Sequence, residues 1–172
     1  MSHYKFCPRC TQPLINADHG ELQRTACPDK SCGFVWWDNP VPVVAAVVEH
    51  EGGVILAHNK LWPMKFYGLI TGFLEKNDPS PHEAVLREVK EELGLDGTEA
   101  NFIGHYMFPR MNQILIAYHV PAEGEIVLGD ELSEWKRVAF DKARYWPGGT
   151  GFALRDWLKT RGYESQPMEM PR

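Results

Sequence analysis

The sequence predicts an α/β domain preceded by a small metal-binding module, and three observations support this prediction. Short apolar segments alternate with turns through the middle of the chain, one amphipathic helix lies among them, and all four cysteines lie near the N-terminus. Strands alternating with helices are typical of α/β architectures. We expect the module at residues 1–38, the α/β domain at 39–163 and a frayed tail at 164–172.

The strands are predicted from short apolar runs bounded by turn residues. Residues 43–48 and 54–58 are apolar and flank Glu51-Gly52-Gly53, which predicts a β-hairpin with glycines providing positive φ angles. Residues 114–120 form another apolar run, which ends at Pro121. Near the C-terminus, the turn Pro147-Gly148-Gly149 precedes a predicted helix at residues 150–159.

The clearest element is a helix predicted over residues 81–95. Ser80 is in the N-cap position, Pro81 follows at the first helical position, and Glu83 completes a capping box. Gly94 is a typical C-terminal signal. At about 100° per residue the helix has two separate faces. One is an apolar stripe of Val85, Leu86, Val89 and Leu93, and the other carries Glu88, Glu91 and Glu92.

The acidic face of this helix has two interpretations. Three glutamates at positions i, i+3 and i+4 repel one another, and their carboxylate oxygens are the ligands that Mg²⁺ prefers. The alternative is a solvated charged face, which is the usual fate of glutamates in such a cluster when they are considered in isolation.

The cysteines form two close pairs, Cys7 with Cys10 and Cys27 with Cys32. Two such pairs can bind one tetrahedral Zn²⁺ with four thiolates, which makes the ion structural because no coordination position stays open. The second pair has four intervening residues where the commonest zinc knuckle has two. The alternative is free or disulfide-linked cysteines, and disulfides are rare without secretion.

Composition and charge exclude some classes of function. No run approaches the about 20 apolar residues that a transmembrane helix needs, and the N-terminus shows no signal peptide. We therefore expect a cytoplasmic protein without a membrane partner. The formal net charge of −5 disfavours general nucleic-acid binding. It is compatible with a phosphate-bearing substrate if divalent cations lie between the phosphates and the carboxylates.

Residues 72–95 resemble the Nudix box. Arg87-Glu88-Val89-Lys90-Glu91-Glu92-Leu93-Gly94-Leu95 matches each fixed position of the second half of that motif, and Gly72 matches its start. The first half departs from the pattern, because Asp78 replaces a glutamate and stands one residue too far from Arg87. The role of Asp78 is therefore open.

This resemblance implies an α/β/α sandwich with a mixed sheet. It further implies that Glu88, Glu91 and Glu92 bind Mg²⁺ or Mn²⁺, with the backbone carbonyl of Thr71 as a further ligand. Arg87 would orient a glutamate through a bidentate ion pair. In the segment 129–135, Glu131 matches the position that supplies a further catalytic carboxylate.

A four-cysteine module directly before a Nudix box resembles the NADH pyrophosphatase subgroup and a related FAD or ADP-ribose subgroup. The implied substrate is a small dinucleotide-type molecule (NADH or NAD, ADP-ribose, or FAD), which is cut at its diphosphate into two phosphorylated products. We expect Phe66, Tyr67 and Arg110 to contact substrate; the alternatives are core or rim packing for the two aromatics and a surface role for the arginine. Members of this subgroup are often dimers, so a homodimer is a further expectation.

Two alternatives stay open at this stage. Decapping of RNA that bears a nicotinamide-adenine cap requires the same bond cleavage on a larger substrate. A zinc-ribbon adaptor that senses a nucleotide without turnover is a different class of function, although a sensor has no need of a complete metal-binding face.

Overall fold

The computed structural model describes residues 4–169, so residues 1–3 and 170–172 of the predicted module and tail lie outside the described residues. The chain divides into two compact units, Met1–Pro40 and Val41–Arg172. Within the described residues, no helix has both the length and the apolar character that a membrane span requires.

The N-terminal unit contains a three-stranded antiparallel sheet. Its strands are β1 (Ile15–His19), β2 (Leu22–Ala26) and β3 (Val35–Trp36), arranged in that order. Gly20, with a φ of 66°, forms the turn between β1 and β2. Within residues 4–40, only Cys7 and Ala26 are buried apolar side chains. A unit of this size with so small a core usually requires a metal or disulfides to fold.

The C-terminal unit is built on one mixed sheet, to which the described residues contribute seven strands. They are β4 (Val41–His50), β5 (Gly53–Asn59), β6 (Ile70–Phe73), β7 (Asp96–Gly97), β8 (Asn101–Phe108), β9 (Gln113–Glu123) and β10 (Leu132–Ala139). The order is β10-β5-β4-β9-β7, with β6 also paired to β4 and β8 to β9. Short 3-10 turns follow β8 at Pro109–Met111 and β10 at Phe140–Lys142.

Strand β4 is the centre of this sheet. It runs parallel to β9, and it pairs antiparallel with β6 along its first half and with β5 at its end. Its residues 43–48 are buried, as expected of a strand covered on both faces. The hairpin to β5 is confirmed, but its positive φ angles fall on Glu51 (46°) and Gly52 (74°), and Gly53 already belongs to β5.

Two helices cover the two faces of the sheet, so the predicted α/β/α sandwich is confirmed. Helix α1 (Pro81–Leu93) packs its buried residues against one face, together with Ile55 and Ala57 of β5. Helix α2 (Thr150–Thr160) packs against the other face, together with Val54 and Leu56. Adjacent residues of β5 therefore point to different helices, which is the two-residue period of a strand.

The ends of α1 follow from the local sequence. The Ser80 hydroxyl accepts a hydrogen bond from the backbone N–H of Glu83 at 3.2 Å, and Pro81 occupies the first turn. Gly94 is left-handed with a φ of 70°, and its N–H donates to the carbonyl of Lys90. The helix thus ends at Leu93, two residues before the predicted limit, because Gly94 leaves the helical conformation.

Residues 165–168, in the segment that was expected to be a frayed tail, make defined contacts with Ala143 and Tyr145. Tyr145 forms a parallel bridge with Pro167, and Met168 donates its N–H to the carbonyl of Tyr145 at 2.8 Å. The Ser165 hydroxyl donates to the carbonyl of Ala143. Met168 also packs against the core on the α2 face. Backbone pairing and apolar burial therefore hold a segment in which the sequence shows no periodic pattern.

Candidate functional site

The acidic face of α1 lies beside the end of β6. The side chain of Glu88 is 12% exposed, Glu92 is also partly buried, and Glu91 is 58% exposed. Gly72 on β6 explains the close approach, because a Cβ atom placed there would lie 1.8 Å from Cδ of Glu88. The strand therefore passes directly against the Glu88 carboxylate. Thr71 is the neighbouring residue of the same strand, paired with Ala45 of β4.

Arg87 organises the carboxylates at the start of this face. Its Nη1 donates to Oε1 of Glu88 at 2.7 Å and to Oε2 of Glu91 at 2.9 Å. Its Nε and Nη2 donate to the two carboxylate oxygens of Asp78, each at 3.1 Å. The bidentate pair that was expected with a glutamate is thus made with Asp78. One guanidinium holds three carboxylates, a use for which its five planar donors are suited.

The ion pair with Arg87 gives Asp78 a structural role. Its side chain also accepts the backbone N–H of Glu75 at 2.8 Å, which fixes the turn before α1. The hydrogen bonds from Arg87 hold the pKa of the Asp78 carboxyl below its usual range. The additional residue between Asp78 and Arg87 is therefore accommodated in the turn without breaking the ion pair.

Glu131 is brought to the same site by the segment before β10. The backbone N–H groups of Val127 and Gly129 donate to the carbonyls of Leu93 and Glu92, each at 2.9 Å, which attaches this segment to the end of α1. The backbone N–H of Lys60 donates to the carbonyl of Glu131 at 2.9 Å. The negative charge of Glu131 raises the pKa values of both Glu88 and Glu92, so the three carboxylates form one electrostatic cluster.

Burial and neighbouring negative charges raise the pKa values of two carboxyl groups in this cluster. Burial, followed by the charges of Glu88, Glu131 and Glu91, raises the pKa of Glu92 to about 8. Burial also raises the pKa of Glu88, although the Arg87 guanidinium opposes that effect. A divalent cation would remove both penalties, because it replaces the lost hydration and neutralises the charges. The donor set fits an oxygen-binding divalent ion.

Asn59, Lys60 and Gly129 support this site but were not predicted from the sequence. The Asn59 amide lies 3.4 Å from Oε2 of Glu131, and the Lys60 side chain donates to the carbonyl of Asp130. A Cβ on Gly129 would lie 2.5 Å from the carbonyl oxygen of Glu91. The contacts of Asn59 and Lys60 span about seventy residues of sequence, and no local pattern predicts any of the three.

Two of the three predicted substrate contacts lie on the face of the sheet opposite α1. Phe66 and Tyr67 pack against the core on the α2 face of the sheet, and the Phe66 ring meets the Trp146 ring edge-on at 5.1 Å. The Tyr67 hydroxyl donates to Glu134. Arg110 is exposed on the 3-10 turn after β8.

The four predicted cysteines come together in the N-terminal unit. Their Sγ atoms all lie within 4.8 Å of one another, with 3.6 Å between Cys7 and Cys32 and 3.4 Å between Cys10 and Cys27. None forms a disulfide. Burial, together with the three neighbouring sulfurs, raises the pKa of the Cys27 thiol to about 12, and a backbone hydrogen bond at Asp29 opposes this effect. Their spacing would allow the four sulfurs to hold one metal ion.

Comparison with known proteins agrees with this architecture. Residues 39–159 match the family model described as the NUDIX domain. The chain is 28% identical over 141 residues to the NAD-capped RNA hydrolase NudC of Pseudomonas aeruginosa, covering 81% of this chain and 49% of that protein. It is 30% identical over 121 residues to the protein of the same name from Mycobacterium tuberculosis, covering 67% of this chain and 36% of that protein. The chain thus spans about half the length, or less, of these curated relatives.

Solved structures share the fold. A NUDIX hydrolase from Nitrosomonas europaea superposes with a TM-score of 0.75 at 20% identity, covering 97% of this chain and all of that one. An ADP-ribose pyrophosphatase from Streptococcus suis gives a TM-score of 0.57 at 19% identity, covering 76% of this chain. At such identities the likeness concerns the fold alone. The family-model match over most of the sequence, together with the carboxylate-bearing helix α1, establishes that this chain belongs to the NUDIX domain family.

Proposed function

We propose that this chain is a metal-dependent pyrophosphohydrolase that cuts the diphosphate linkage of a dinucleotide-type substrate. The observation that carries the proposal is that Glu88 lies against Gly72 and that the charges of Glu88 and Glu131 act on the largely buried carboxyl group of Glu92. Structural support alone does not account for such an arrangement, since buried like charges are costly without a cation.

In this proposal Glu88, Glu91, Glu92 and the Thr71 carbonyl bind Mg²⁺ or Mn²⁺. When bound, such ions neutralise the oxygens of a diphosphate and lower the pKa of an attacking water. Arg87 orients the Glu88 and Glu91 carboxylates toward the ions, and Asp78 orients Arg87. Glu131 supplies a further carboxylate, and a carboxylate at this position can accept the proton of the attacking water.

The substrate is proposed as NADH or NAD, ADP-ribose, or FAD, without an order among them. NAD-capped RNA is a second candidate, because the similar curated proteins from Pseudomonas aeruginosa and Mycobacterium tuberculosis are named for that activity. Phe66, Tyr67 and Arg110 stay predictions as substrate contacts, and so do homodimerisation and a cytoplasmic location.

For the N-terminal unit we propose one structural Zn²⁺ bound by Cys7, Cys10, Cys27 and Cys32. Zn–S bonds of about 2.3 Å imply sulfur separations of about 3.8 Å in a tetrahedron. The separations of 3.4 and 3.6 Å within the cysteine cluster are compatible with that geometry. The ion would compensate for the small apolar core of this unit.

The decisive test is phosphatase-coupled phosphate release from NADH, NAD, ADP-ribose, FAD and an NAD-capped oligonucleotide, with Mg²⁺ or Mn²⁺. Glu92→Gln should abolish turnover while the protein stays folded. Glu83→Gln is the matched control, since Glu83 is exposed on the same helix but outside the acidic face. Equal turnover by Glu92→Gln and the wild type would refute the metal-site proposal. Ligand binding without turnover, unchanged in Glu92→Gln, would instead support a nucleotide sensor.

A further inference from the structure

A second concave site lies on the opposite face of the sheet from α1. It is an open cavity of about 340 Å³, and we call it the basic cavity. Its lining consists of Leu56, Lys65, Phe66, Tyr67, Lys136, Val138, Lys142, Arg144 and Met168. Leu56 belongs to the core cluster under α2, and four other lining residues pack against that cluster. The carboxylates of α1 lie on the other face and take no part in the lining.

The charge of the basic cavity is opposite to that of the whole chain. Four of its lining residues are cationic and none is acidic, whereas the chain carries a net charge of −5. Two of the cations have partners, because Lys65 forms an ion pair with Glu134 at 3.0 Å and Lys136 lies 4.2 Å from the Tyr67 ring centroid. Lys142 and Arg144 are exposed, and no acidic side chain of residues 4–169 forms an ion pair with either.

Glu134, an acidic residue in contact with two members of this lining, is already engaged. Glu134 accepts the Tyr67 hydroxyl and pairs with Lys65, and these contacts lower the pKa of its carboxyl. The Glu134 carboxylate is therefore already bound by Lys65 and Tyr67. The other two cations, Lys142 and Arg144, remain available to an anion from solution.

The remaining lining of the basic cavity is apolar and partly aromatic. Phe66 is held between the rings of Trp62, at 5.3 Å, and Trp146, at 5.1 Å. The carbonyl of Phe66 also contacts Nδ1 of His58 at 2.9 Å. These contacts hold the aromatic part of the lining in place, so the cavity does not depend on a ligand to form it. A rigid apolar wall beside several cations suits a ligand with a flat apolar body and an anionic group.

We propose that the basic cavity binds a phosphorylated nucleoside, with its phosphate held by Lys142 and Arg144 and its base or sugar against Phe66, Leu56 and Met168. Arginine and lysine are the usual phosphate-binding side chains, and here they need no metal ion. The volume lies at the small end of the range for small-molecule sites, which fits a mononucleotide. This site does not depend on hydrolysis by the carboxylate cluster.

The test is calorimetric titration of the whole chain with AMP, in EDTA so that the glutamates of α1 cannot recruit phosphate through a metal. Adenosine and inorganic phosphate are the two partial probes. AMP should bind at least about tenfold more tightly than either, because only AMP provides both the anion and the apolar body. Binding should also weaken with added salt. Absence of AMP binding at millimolar concentration would refute the proposal.

Variants separate the basic cavity from the carboxylate cluster. The double change Lys142→Ala with Arg144→Ala should weaken AMP binding about tenfold or more, while Arg144→Lys should retain most of it. Lys159→Ala is the control for loss of an exposed cation elsewhere, and Glu92→Gln is the control for the other site. Neither control should alter AMP binding. Loss of binding in Glu92→Gln, or normal binding in the double variant, would contradict the proposal.

Discussion

Gly72 and Glu88 are in such close contact that a single added carbon on Gly72 would lie 1.8 Å from the Glu88 carboxyl carbon. The glycine is thus required by the space that the carboxylate occupies. Its φ angle is not in the left-handed region, so backbone strain is not the reason. Strand β6 and the acidic face of α1 are therefore in close contact where Gly72 meets Glu88.

Gly72→Ala should therefore displace the Glu88 carboxylate. Overpacking at such a contact typically costs about 1–3 kcal/mol of folding free energy, and we expect metal-dependent turnover to fall more strongly than stability. Thermal melting and turnover measured on the same preparation would show this. Gly148→Ala is the matched control, because nothing lies within 4 Å of a Cβ at that position. If both alanine variants retain full turnover, the fit between Gly72 and Glu88 has no functional role.

Asp78→Ala should lower turnover although Asp78 lies outside the carboxylate cluster. Its loss removes two hydrogen bonds from Arg87, which then no longer holds Glu88 and Glu91 in one orientation. Losing a residue that orients metal ligands typically costs about 10–100-fold in activity or metal affinity. Turnover measured against Mg²⁺ concentration should show a raised metal requirement.

Asp96→Ala provides the comparison for Asp78. It removes an aspartate that also pairs with a cation of α1, since Asp96 contacts Lys90 at 2.6 Å. The Asp96 side chain is 76% exposed, and exposed ion pairs contribute little. Turnover and metal requirement should be unchanged in this variant. An equal loss in the two variants would mean that Arg87 is not oriented by Asp78.

The stability of the metal-free protein should depend on pH through Glu92. Burial and neighbouring carboxylates raise the pKa of Glu92 to about 8 from an ordinary value of 4.5, so the folded state holds a proton that the unfolded chain releases. The stabilising contribution is complete below about pH 4.5 and is lost as the pH rises through about 8. In EDTA, Glu92→Gln should therefore be more stable than the wild type at pH 8, by on the order of a few kcal/mol, and similar at pH 4.5.

Denaturant unfolding at these two pH values measures that difference. Glu83→Gln, on the exposed side of the same helix, should give the same pH dependence as the wild type. Parallel pH profiles for wild type and Glu92→Gln would show that Glu92 carries no unfavourable charge in the folded protein.

Metal removal should affect the two units differently. Cys27→Ser should lose the bound Zn²⁺ and expose the backbone amides of the N-terminal unit, because that unit has little apolar core. The amides of β4 and β9 should stay protected, since these strands are buried in the C-terminal unit. Hydrogen exchange measured on the whole chain, together with analysis of the bound metal, distinguishes the responses of the two units. Lys30→Ala is the control, because Lys30 is an exposed neighbour of the same cysteine pair, and this variant should retain the metal. If the backbone amides of residues 4–40 stayed protected in zinc-free Cys27→Ser, the Zn²⁺ would have no structural role.

Local sequence was sufficient where the determinants are local. Ser80, Pro81 and Gly94 fix the ends of α1 by caps that a few residues complete, and the i, i+3, i+4 spacing places Glu88, Glu91 and Glu92 on one face. The cysteine spacing similarly anticipated the sulfur cluster. The α/β/α sandwich followed from resemblance to a family, because strand order is not encoded in any short segment.

The remaining features depend on contacts between distant segments. Arg87 contacts two glutamates, as expected, but its bidentate partner is Asp78, which the turn before α1 brings in despite its altered spacing. Residues 165–168 show no pattern and are nevertheless held by Ala143 and Tyr145. Phe66 and Tyr67 precede β6 in sequence and lie outside any strand, yet both pack against the core on the side opposite α1.

The Arg87 guanidinium, which binds Asp78, Glu88 and Glu91, also affects the electrostatics of the metal-free protein. Its single positive charge offsets part of the repulsion among these three carboxylates when no divalent ion is bound. Glu92 has no contact with Arg87, and burial and the neighbouring carboxylates raise its pKa. Metal depletion of the C-terminal unit should consequently be a reversible loss of activity, from which the folded protein recovers on adding the ion back.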